Sequence, residues 1–445
     1  MVDGAGPHDY PMRLSMSNRA NPVQVPAIVL GVEHPRGAAV VQSLGRLGAS
    51  VTAVDHYPDA LGMWSRFISE KILVPETYDA ALHALEAFAD RTPNARPLLI
   101  ATSDHYLVLV SRNFERLSTR FVVTTPRWEV LSTLMDKRRC YELASSIGLN
   151  VPRFFAPSSA EEIKRVFAGL DFQKHDYLFT KPLPTGEPTD GSTRRFTRVA
   201  GIHADTAHAR YMEIFERTGD LPMISEVVPG ESASCIGVSL VLDLEHRPVA
   251  AFCVKRLQLR PYKKDEGFIH PYALGANVYC ESTHDNEAVE AAARLLRAAR
   301  YSGIATVEFR RDANTGALKL IKVDPRVVRA TSLSAAVGID LPAALFRVFT
   351  AQPPTVAKAY PDGVAWIWLS AFFATVREQG LWTQWRLRAL LRDSGRIRAA
   401  AYFSRHDPMP FIIDSSKSAG RFIRRHLRGV QRYLLRNMRP SETAR

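Results

Sequence analysis

The chain has 445 residues, which at roughly 100–200 residues per domain indicates about three domains. Hydrophobic residues make up 46% and charged residues 23%, an ordinary globular composition that excludes disordered, collagen-like and low-complexity classes for the bulk of the chain. The formal net charge of +13 is uneven, because residues 376–445 contain 16 Lys/Arg and 5 Asp/Glu, a surplus of 11, and the first 375 residues carry the remaining 2. The nearly neutral body and the basic tail therefore need separate explanations.

The cysteines and the apolar runs narrow the class of protein. Four cysteines without C-x-x-C spacing predict reduced thiols in a cytoplasmic protein, not a disulfide framework or a zinc ribbon. Residues 1–24 lack the apolar region of a secretory signal and are interpreted as a flexible leader. The most apolar run, Val364–Val376, has 13 residues and is short of the ~18–20 that span a bilayer, which favours a buried helix over a segment that dips into a membrane.

The first predicted elements form an α/β unit. Ala27–Val32 is a short apolar run, typical of a buried parallel strand, and Arg36–Gly48 has helical spacing with a glycine stop. Further strands of this unit are predicted at Ser50–Asp55, Leu98–Thr102 and Phe121–Thr124. Because the strands alternate with helices, we expect a doubly wound parallel sheet over residues 25–130. The first turn lacks a G-x-G-x-x-G fingerprint, which leaves a bare corner or a ligand contact as alternatives.

The middle of the chain mixes strands and helices. A helix is predicted at Lys137–Ile147 and an amphipathic helix at Ala288–Arg300. The DANTG turn predicts a hairpin between Thr306–Phe309 and Leu318–Val323. Other strands are predicted after Pro152 and at Tyr177–Pro182, Met223–Val228, Val238–Leu244 and Val249–Val254. After Thr350 the pattern becomes helical and basic.

Five motifs occur in one order along this region. They are DKxxxxxLAxxxGLxVP (Asp136–Pro152), TKP (Thr180–Pro182), SEVVPGE (Ser225–Glu231), VEFRRDANTG (Val307–Gly316) and KVDPR (Lys322–Arg326). Together they resemble the ATP-grasp superfamily, and more narrowly its predicted carboxylate–amine ligases, over about Val25–Leu345. The resemblance implies an α/β fold with an α+β ATP-grasp core in two parts: a small subdomain with a phosphate loop at 131–225 and a large subdomain with a metal site at 226–350. We expect a basic helical extension at 351–445.

The resemblance also implies an ATP site. A nucleotide carries several negative charges and needs cations on rigid elements. The family lysines that reach the ATP phosphates are matched by Lys137 and Lys181, with a loop at Thr185–Arg195 closing over them. Adenine would be bound by Glu226 and by the backbone of Val227 and Val228, and the ribose by Glu231. A solvated or strand-edge lysine and a strand that ends in a Pro-Gly turn are the alternatives.

The metal site departs from the family pattern. Mg²⁺ (or Mn²⁺) would be held by Glu308 and Asp324, but Lys322 stands where the family has Glu, and Asp324 where it has Asn. Alternate strand positions share a face, so Lys322 and Asp324 should point together. Three outcomes are open. Lys322 pairs with Asp324 or a phosphate beside one ion, it turns away from two weakly bound ions, or the site binds nucleotide without efficient turnover.

Arginines complete the implied catalytic set. Arg326 resembles the family arginine near the transferred phosphate, and Lys322 is a further catalytic candidate. Lys255, Arg256 and Arg260 lie on a predicted strand and its exit, where we expect Arg260, and after it Lys255, to bind phosphate or a carboxylate. Charged strand-edge positions are the alternative for Lys255 and Arg256. The segments Gly275–Ser282 and Arg329–Ser334 are interpreted as the border of the acceptor site or as polar loops.

The implied reaction is a ligation. A small-molecule carboxylate attacks the γ-phosphate of Mg-ATP to give an acyl phosphate and ADP, and an amine, or a thiol, then displaces phosphate. The alternatives are a catalytically weak or inactive ATP-binding regulatory or scaffold protein with a degenerate metal site, and another acyl-phosphate enzyme of the superfamily such as a biotin-independent carboxylase.

The basic tail forms a separate feature. Residues 415–439 place one apolar stripe on a helix, flanked by arginines. Such a helix can lie on an anionic membrane, here at its inner face, or dock on the body or on a homodimer partner. No recognised nucleic-acid module accompanies the charge, so no nucleic-acid partner is expected. The stripe consists of Ile423, Leu427, Val430, Leu434 and Met438.

Overall fold

The computed structural model describes residues 25–181, 196–261, 275–353, 359–378 and 394–420. These residues form three β-sheets of five, four and seven strands. The first sheet is parallel and the other two are largely antiparallel, so the chain is a mixed α/β protein, as the sequence predicts.

The first sheet is wound on both sides of its first strand. The strand order is β3-β2-β1-β4-β5, and all pairs are parallel. Because the order reverses between β1 and β4, a crevice opens at the carboxyl ends of these two strands. The strands are β1 (Ala27–Leu30), β2 (Val51–Asp55), β3 (Ile68–Leu73), β4 (Leu98–Ala101) and β5 (Val122–Val123). The helices are α1 (Pro35–Arg46), α2 (Tyr78–Arg91), α3 (Asp104–Arg112) and α4 (Phe114–Ser118).

A four-stranded antiparallel sheet follows, in the order β6-β9-β7-β8. Its core is aromatic, since Phe167, Phe172, Phe179 and Tyr211 pack edge-on and stacked between the sheet and its helices. The strands are β6 (Phe154–Phe155), β7 (Tyr177–Thr180), β8 (Phe196–Val199) and β9 (Met223–Glu226). The helices before and within this unit are α5 (Trp128–Met135), α6 (Lys137–Ser146), α7 (Ala160–Ala168) and α8 (Ala204–Thr218).

The seven-stranded sheet has the order β14-β13-β10-β11-β12-β15-β16. The predicted hairpin is confirmed, because β13 and β14 pair antiparallel with Glu308 opposite Lys322. The strands are β10 (Cys235–Leu242), β11 (Pro248–Pro261), β12 (Gly275–Thr283), β13 (Gly303–Arg311), β14 (Leu318–Asp324), β15 (Ala365–Ile367) and β16 (Ile397–Ala400). The helices are α9 (Asn286–Ala298), α10 (Thr331–Ala336), α11 (Leu341–Phe349) and α12 (Leu369–Glu378).

The predicted helix at Val364–Val376 is wrong in its first part. Residues Ala365–Ile367 form β15, which pairs with β12, and the helix α12 begins only at Leu369. Trp366 is fully buried and donates from Nε1 to Ser332 Oγ at 2.9 Å, so packing decides the local structure here. The alternative prediction of a polar loop at 275–282 is also wrong. These residues belong to the strand β12, which lies between β11 and β15.

The region after 351 is therefore not a purely helical extension, because β15 and β16 extend the large sheet. A helix at 409–420 follows and packs on the body: Lys417 Nζ lies 2.8 Å from Asp59 Oδ2, and Ser370 donates to Asp414 at 2.7 Å. The apolar stripe predicted at 423–438 lies outside the described residues. Within the described ranges, no helix is long and apolar enough to cross a membrane.

The segment after β14 packs against the first sheet's helix α1. Val327, Ala330 and Leu333 share one buried apolar cluster with Ala38 and Val41 of that helix. Burying these side chains together fixes the exit of β14 close to the turn between β1 and α1, because apolar burial contributes about 25 cal/mol per Å². This contact brings the β13–β14 hairpin beside the crevice of the first sheet.

Candidate active site

Lys322 lies between the two carboxylates of the β13–β14 hairpin. Its Nζ is 2.7 Å from Asp324 Oδ2 and 3.6 Å from Glu308 Oε1. Lys322 and Asp324 are two residues apart on one strand and share a face, as the sequence predicts. Glu308 is buried opposite them on β13. Both carboxylates therefore converge on one point, and the lysine ammonium occupies it.

A second cation reaches Glu308 from β11. The guanidinium of Arg256 makes an ion pair with Glu308 Oε1. Val254 and Glu308 both pair with Gly237 of β10, and Arg256 lies two residues after Val254, so its side chain is on the same face. From the sequence, a charged strand-edge position is one of two alternatives for Arg256, and only the register across three strands shows that it belongs to this cluster.

Arg326 connects the hairpin with the crevice of the first sheet. Its Nε lies 2.7 Å from Asp104 Oδ1, and its Nη2 lies 3.4 Å from Asp324 Oδ1. Asp104 is the first residue of α3, directly after β4, at the point where the strand order reverses. Asp104 is not among the residues predicted from the sequence. A polar residue that follows a buried strand at a switch point is nevertheless a signal for a place in a binding site.

The charges around Asp324 keep it ionised. Burial opposes its ionisation, but Lys322 and Arg326 outweigh burial and lower the pKa of Asp324 to about 2. Burial also opposes the charge of Arg326, while Asp104 and Asp324 raise its pKa above the ordinary arginine value. At neutral pH Asp324 and Arg326 are therefore both charged.

Lys137 lies close enough to Lys322 for their two positive charges to interact. It is the first residue of α6, whose N-terminus is capped by Asp136 through a 3.0 Å hydrogen bond from the Arg139 N–H. Its Nζ lies 5.3 Å from the centre of the Tyr141 ring. Burial and the nearby charge of Lys322 lower the pKa of Lys137 to about 8. An anion placed between these two lysines would be attracted by both.

Lys181 directly follows β7 and is half-buried. It stands at the end of a fully buried strand whose residue Thr180 pairs with Met223 of β9. Its backbone is thus held by the small sheet, as a rigid phosphate contact requires. The predicted phosphate loop at Thr185–Arg195 lies outside the described residues.

The predicted adenine segment follows β9 and is anchored to the large sheet. Val227 N–H donates to Asp176 O at 2.8 Å, and Val228 O accepts from Arg310 Nη1 at 3.1 Å. Arg310 also donates to Cys235 Sγ at 2.9 and 3.0 Å, which gives that cysteine a structural contact. Because the Val227 N–H already has an acceptor, an adenine-binding role for this segment depends on the Val228 N–H as donor.

The two glutamates of this segment differ in their surroundings. Glu226, the last residue of β9, is 28% exposed and has Arg153 Nη1 at 3.8 Å from Oε1. Glu231 is exposed and precedes a short turn of helix at Ser232–Ser234. Both side chains remain accessible to a ligand that enters from solvent.

The remaining candidates lie on β11. Lys255 Nζ is 3.0 Å from Glu281 Oε1, and Glu281 also pairs with Arg396, so Lys255 is part of an ion-pair network on the next strand. The backbone of Arg260 pairs with Ala276 of β12, but its side chain lies outside the described part of the chain. Of the segment 329–334, residues from Thr331 onward form α10 instead of a loop.

A divalent ion such as Mg²⁺ needs several oxygen ligands around it. In the described ranges, no group of three or more His, Cys, Asp or Glu side chains could hold a metal ion. Two carboxylates suit one Mg²⁺ whose other ligands are phosphate oxygens and water. Glu308 contacts Arg256 and Lys322 through Oε1. Because the Lys322 ammonium occupies the point on which Glu308 and Asp324 converge, an ion held by both carboxylates would require Lys322 to move aside.

Solved structures share this arrangement of sheets. N5-carboxyaminoimidazole ribonucleotide synthetase (PurK) in its ADP complex has a TM-score of 0.58 at 13% identity, with 78% of this chain and 82% of that chain covered. The Campylobacter jejuni biotin carboxylase ATP complex gives 0.56 at 15% identity, with 78% and 75% covered. The biotin carboxylase domain of Hydrogenobacter thermophilus 2-oxoglutarate carboxylase, with MgADP and bicarbonate, gives 0.56 at 12% identity, with 77% and 73% covered.

The chain has an ATP-grasp fold. No protein-family model and no curated protein matches the sequence. At these identities the likeness establishes the fold alone, so the chemistry of this chain depends on its own residues.

Proposed function

We propose that this protein is an ATP-dependent ligase that joins a small-molecule carboxylate to an amine, or to a thiol, through an acyl phosphate. The observation that carries the proposal is the charged cluster in which Arg326 bridges Asp324 and Asp104 beside Lys322 and Glu308. Phosphoryl transfer depends mainly on positioning and charge neutralisation, which the cations and carboxylates of this cluster could supply, with Glu308, Lys322 and Asp324 held on paired strands.

In the first step a carboxylate oxygen of the substrate forms a bond to the γ-phosphorus of ATP. The bond between this phosphorus and the β–γ bridging oxygen breaks, and ADP leaves with the electron pair. The negative charge on the transferred phosphoryl group would be stabilised by Arg326 and by Lys322, whose side chain is 44% exposed. Lys137 and Lys181 would hold the other phosphates.

In the second step the amine attacks the carbonyl carbon of the acyl phosphate. The bond between this carbon and the phosphate oxygen breaks, phosphate leaves, and the amine proton passes to solvent or to a nearby carboxylate. Neither step needs a side-chain nucleophile. This agrees with a cluster of cations and carboxylates, and with Cys235 being engaged by Arg310.

We further propose that one divalent ion, Mg²⁺ or Mn²⁺, is held by Glu308 and Asp324 together with phosphate oxygens. When bound, the ion would supply positive charge at the β- and γ-phosphates. Lys322 would supply the charge that a second ion provides elsewhere, since its Nζ already lies within 3.6 Å of both carboxylates. We propose the cytoplasm as the place of this reaction, since the substrates are small charged molecules and the thiols read as reduced.

The proposal is tested by ADP release from ATP and Mg²⁺ with a panel of carboxylates and amines. Acceptor-dependent ADP release is expected for the full-length protein and a strong loss for Lys181→Ala. The ligase proposal fails if no acceptor raises ADP release above that of Lys181→Ala. Equilibrium binding of ATP to both proteins separates a failure of turnover from a failure of nucleotide binding.

A second candidate function is favoured by the same cluster. Every described carboxylate in it, Glu308, Asp324 and Asp104, already contacts an arginine or lysine. A protein in which these pairs persist would bind nucleotide without efficient turnover and act as a regulatory or scaffold protein. Restoring the family residue by Lys322→Glu distinguishes the two, because a gain of ADP release indicates a degenerate site and a loss indicates that Lys322 takes part.

A further inference from the structure

A second group of cations surrounds the start of α1, next to the site described above. Arg36 is the second residue of α1, and the whole residue is only 6% exposed. The loop after Arg326 packs on α1 through Val327 and Ala330, which belong to the same apolar cluster as Ala38. This packing places Arg326 and Arg329 close to Arg36.

The guanidinium of Arg36 lacks an acceptor for one of its donors. Its Nε is buried and has no hydrogen-bond partner among the residues that the structure describes. A buried donor of this kind costs free energy unless a ligand or water accepts its hydrogen bond. The guanidinium of Arg326, by contrast, has carboxylate partners. Its Nε donates to Asp104 Oδ1 at 2.7 Å, and its Nη2 lies 3.4 Å from Asp324 Oδ1.

The electrostatics around Arg36 are positive. Burial, and then the charges of Arg326 and Arg329, lower the pKa of Arg36 to about 9, and Asp104 and Asp324 offset this only in part. Burial and the same arginines hold the pKa of the neighbouring His34 down to about 2. Glu33 is a carboxylate of this turn that interacts with these arginines: burial and then Asp55 raise its pKa, and Arg36 and Arg329 offset this in part. A negative charge brought here would relieve this repulsion.

The backbone adds donors at the same place. α1 has 12 residues, its N-cap residue His34 makes no side-chain cap, and its first turn contains no acidic residue. Of the first-turn N–H groups of α1, that of Arg36 has no intrahelical acceptor and can attract an anion, whereas Pro35 has no N–H and the Gly37 N–H donates to His34 O at 3.0 Å. The preceding N–H groups, of Val32 and Glu33, donate to Asp55 Oδ2 at 2.6 and 3.0 Å, so this turn already binds one carboxylate from within the chain.

The turn is also rigid. Gly31 has a φ of +85°, a conformation that favours glycine. A Cβ on Gly37 would lie 2.3 Å from Gly31 O, so helix and turn are in direct backbone contact. A rigid turn holds the Arg36 side chain and the helix N–H groups in place before a ligand arrives, which lowers the entropy lost on binding.

We propose that Arg36, Arg329 and the N-terminus of α1 bind an anionic group, a carboxylate or a phosphate, of the substrate that is not ATP. The identity of the ligand as a substrate rests on the proposed function, because Arg326 is the common neighbour of this subsite and of Asp324. A substrate held here would place its second acidic group at Arg36 while the carboxylate to be activated lies at Arg326. The substrate class is thus a dicarboxylate or a phosphorylated carboxylic acid.

The test measures anion binding to the full-length protein without ATP, by calorimetric titration and by the shift in melting temperature. One titration uses inorganic phosphate and another uses succinate, so that the two sources of the anionic group are distinguished. We expect at least one of them to bind, with an affinity at least tenfold weaker in Arg36→Met. The control Arg46→Met lies in the last turn of the same helix, where Arg46 pairs with Asp340 at 3.0 Å, and should bind as the unaltered protein does.

Three results would overturn the inference: neither anion binds, Arg36→Met binds as well as the unaltered protein, or binding is lost only in Lys181→Met. Arg36→Met should fold, because it removes a buried guanidinium whose Nε has no partner among the described residues, and Arg329→Met gives the same readout should Arg36→Met not fold. No ATP turnover is measured, so the absence of ligase activity and the absence of this subsite are separate results.

Discussion

The β13–β14 hairpin and the start of α1 carry cations of the same kind in different surroundings. In the hairpin, Lys322 and Arg326 each contact a carboxylate of the chain. At α1, Arg36 is buried with an Nε that has no partner among the described residues. Charges that are matched within the chain stabilise the ligand-free protein, and a ligand must compete with them. An unmatched buried charge destabilises the ligand-free protein and favours whatever ligand supplies the missing acceptor.

The largest effect should come from the arginine that joins the two regions. Arg326→Ala is expected to lower acceptor-dependent ADP release by about 100- to 1000-fold, the range seen when one donor to a developing negative charge is removed. The control is Arg311→Ala at the end of β13, where Arg311 pairs with Asp285 and Glu287 away from the cluster, and it should stay within about twofold of the unaltered protein. Equal activities of the two variants would contradict the role of Arg326.

The next effect concerns the matched cluster itself. Lys322→Glu is expected to lower ADP release about tenfold or more, because it places a third carboxylate beside Glu308 and Asp324 and removes a cation from the phosphate. Lys322→Met removes the cation without adding charge and should lose less. A rise in activity of Lys322→Glu would support the degenerate site and the regulatory function instead.

Stability to urea compares the two regions directly. Arg326→Met leaves Asp324 and Asp104 without this partner and should lower the free energy of unfolding by roughly 2 kcal/mol, between the values for exposed and buried pairs. Arg36→Met should leave the free energy of unfolding of the ligand-free protein unchanged or raise it. If Arg36→Met destabilises as much as Arg326→Met, Arg36 is structural and the contrast between the regions is lost.

The smallest effect is the pH dependence of ATP binding. Lys137 is charged below its pKa of about 8 and loses the charge above it, so the affinity for ATP should weaken severalfold between pH 7 and pH 9. The groups that act on Lys137 are Lys322 and Cys140, and burial raises the pKa of the Cys140 thiol to about 12. Lys137→Arg keeps its charge and should flatten the profile, and an unchanged slope in that variant would exclude Lys137 as the source.

Local elements of the fold were predictable because their signals are local. The β13–β14 hairpin surrounds a DANTG turn, and β1 is a run of apolar residues that is fully buried. The strand β3 was missed because its residues alternate between half-buried and exposed at the sheet edge, with no apolar run. The strand β15 was mistaken for a helix because an apolar run does not reveal whether a sheet edge or a helix will bury it.

The candidate site likewise contains contacts that the sequence predicts and contacts that it does not. Lys322 and Asp324 lie two residues apart on one strand, so their shared face followed from strand geometry alone. The partner of Arg326 on α3 is 222 residues away in sequence, and Arg256 reaches Glu308 across a distance of 52 residues. No local pattern contains such pairs, since they depend on the register of β10, β11 and β13 and on the packing of two sheets.

The sequence by itself determined the order of the motifs, the class of fold and the unusual lysine at position 322. Only the tertiary structure decided which charges pair with each other and that Arg36 keeps a buried Nε without a partner among the described residues. The physical reason is that side-chain periodicity is a property of a single helix or strand, whereas an ion pair depends on the distance between elements. That distance is set by how the apolar faces of α1 and of the loop after β14 pack together.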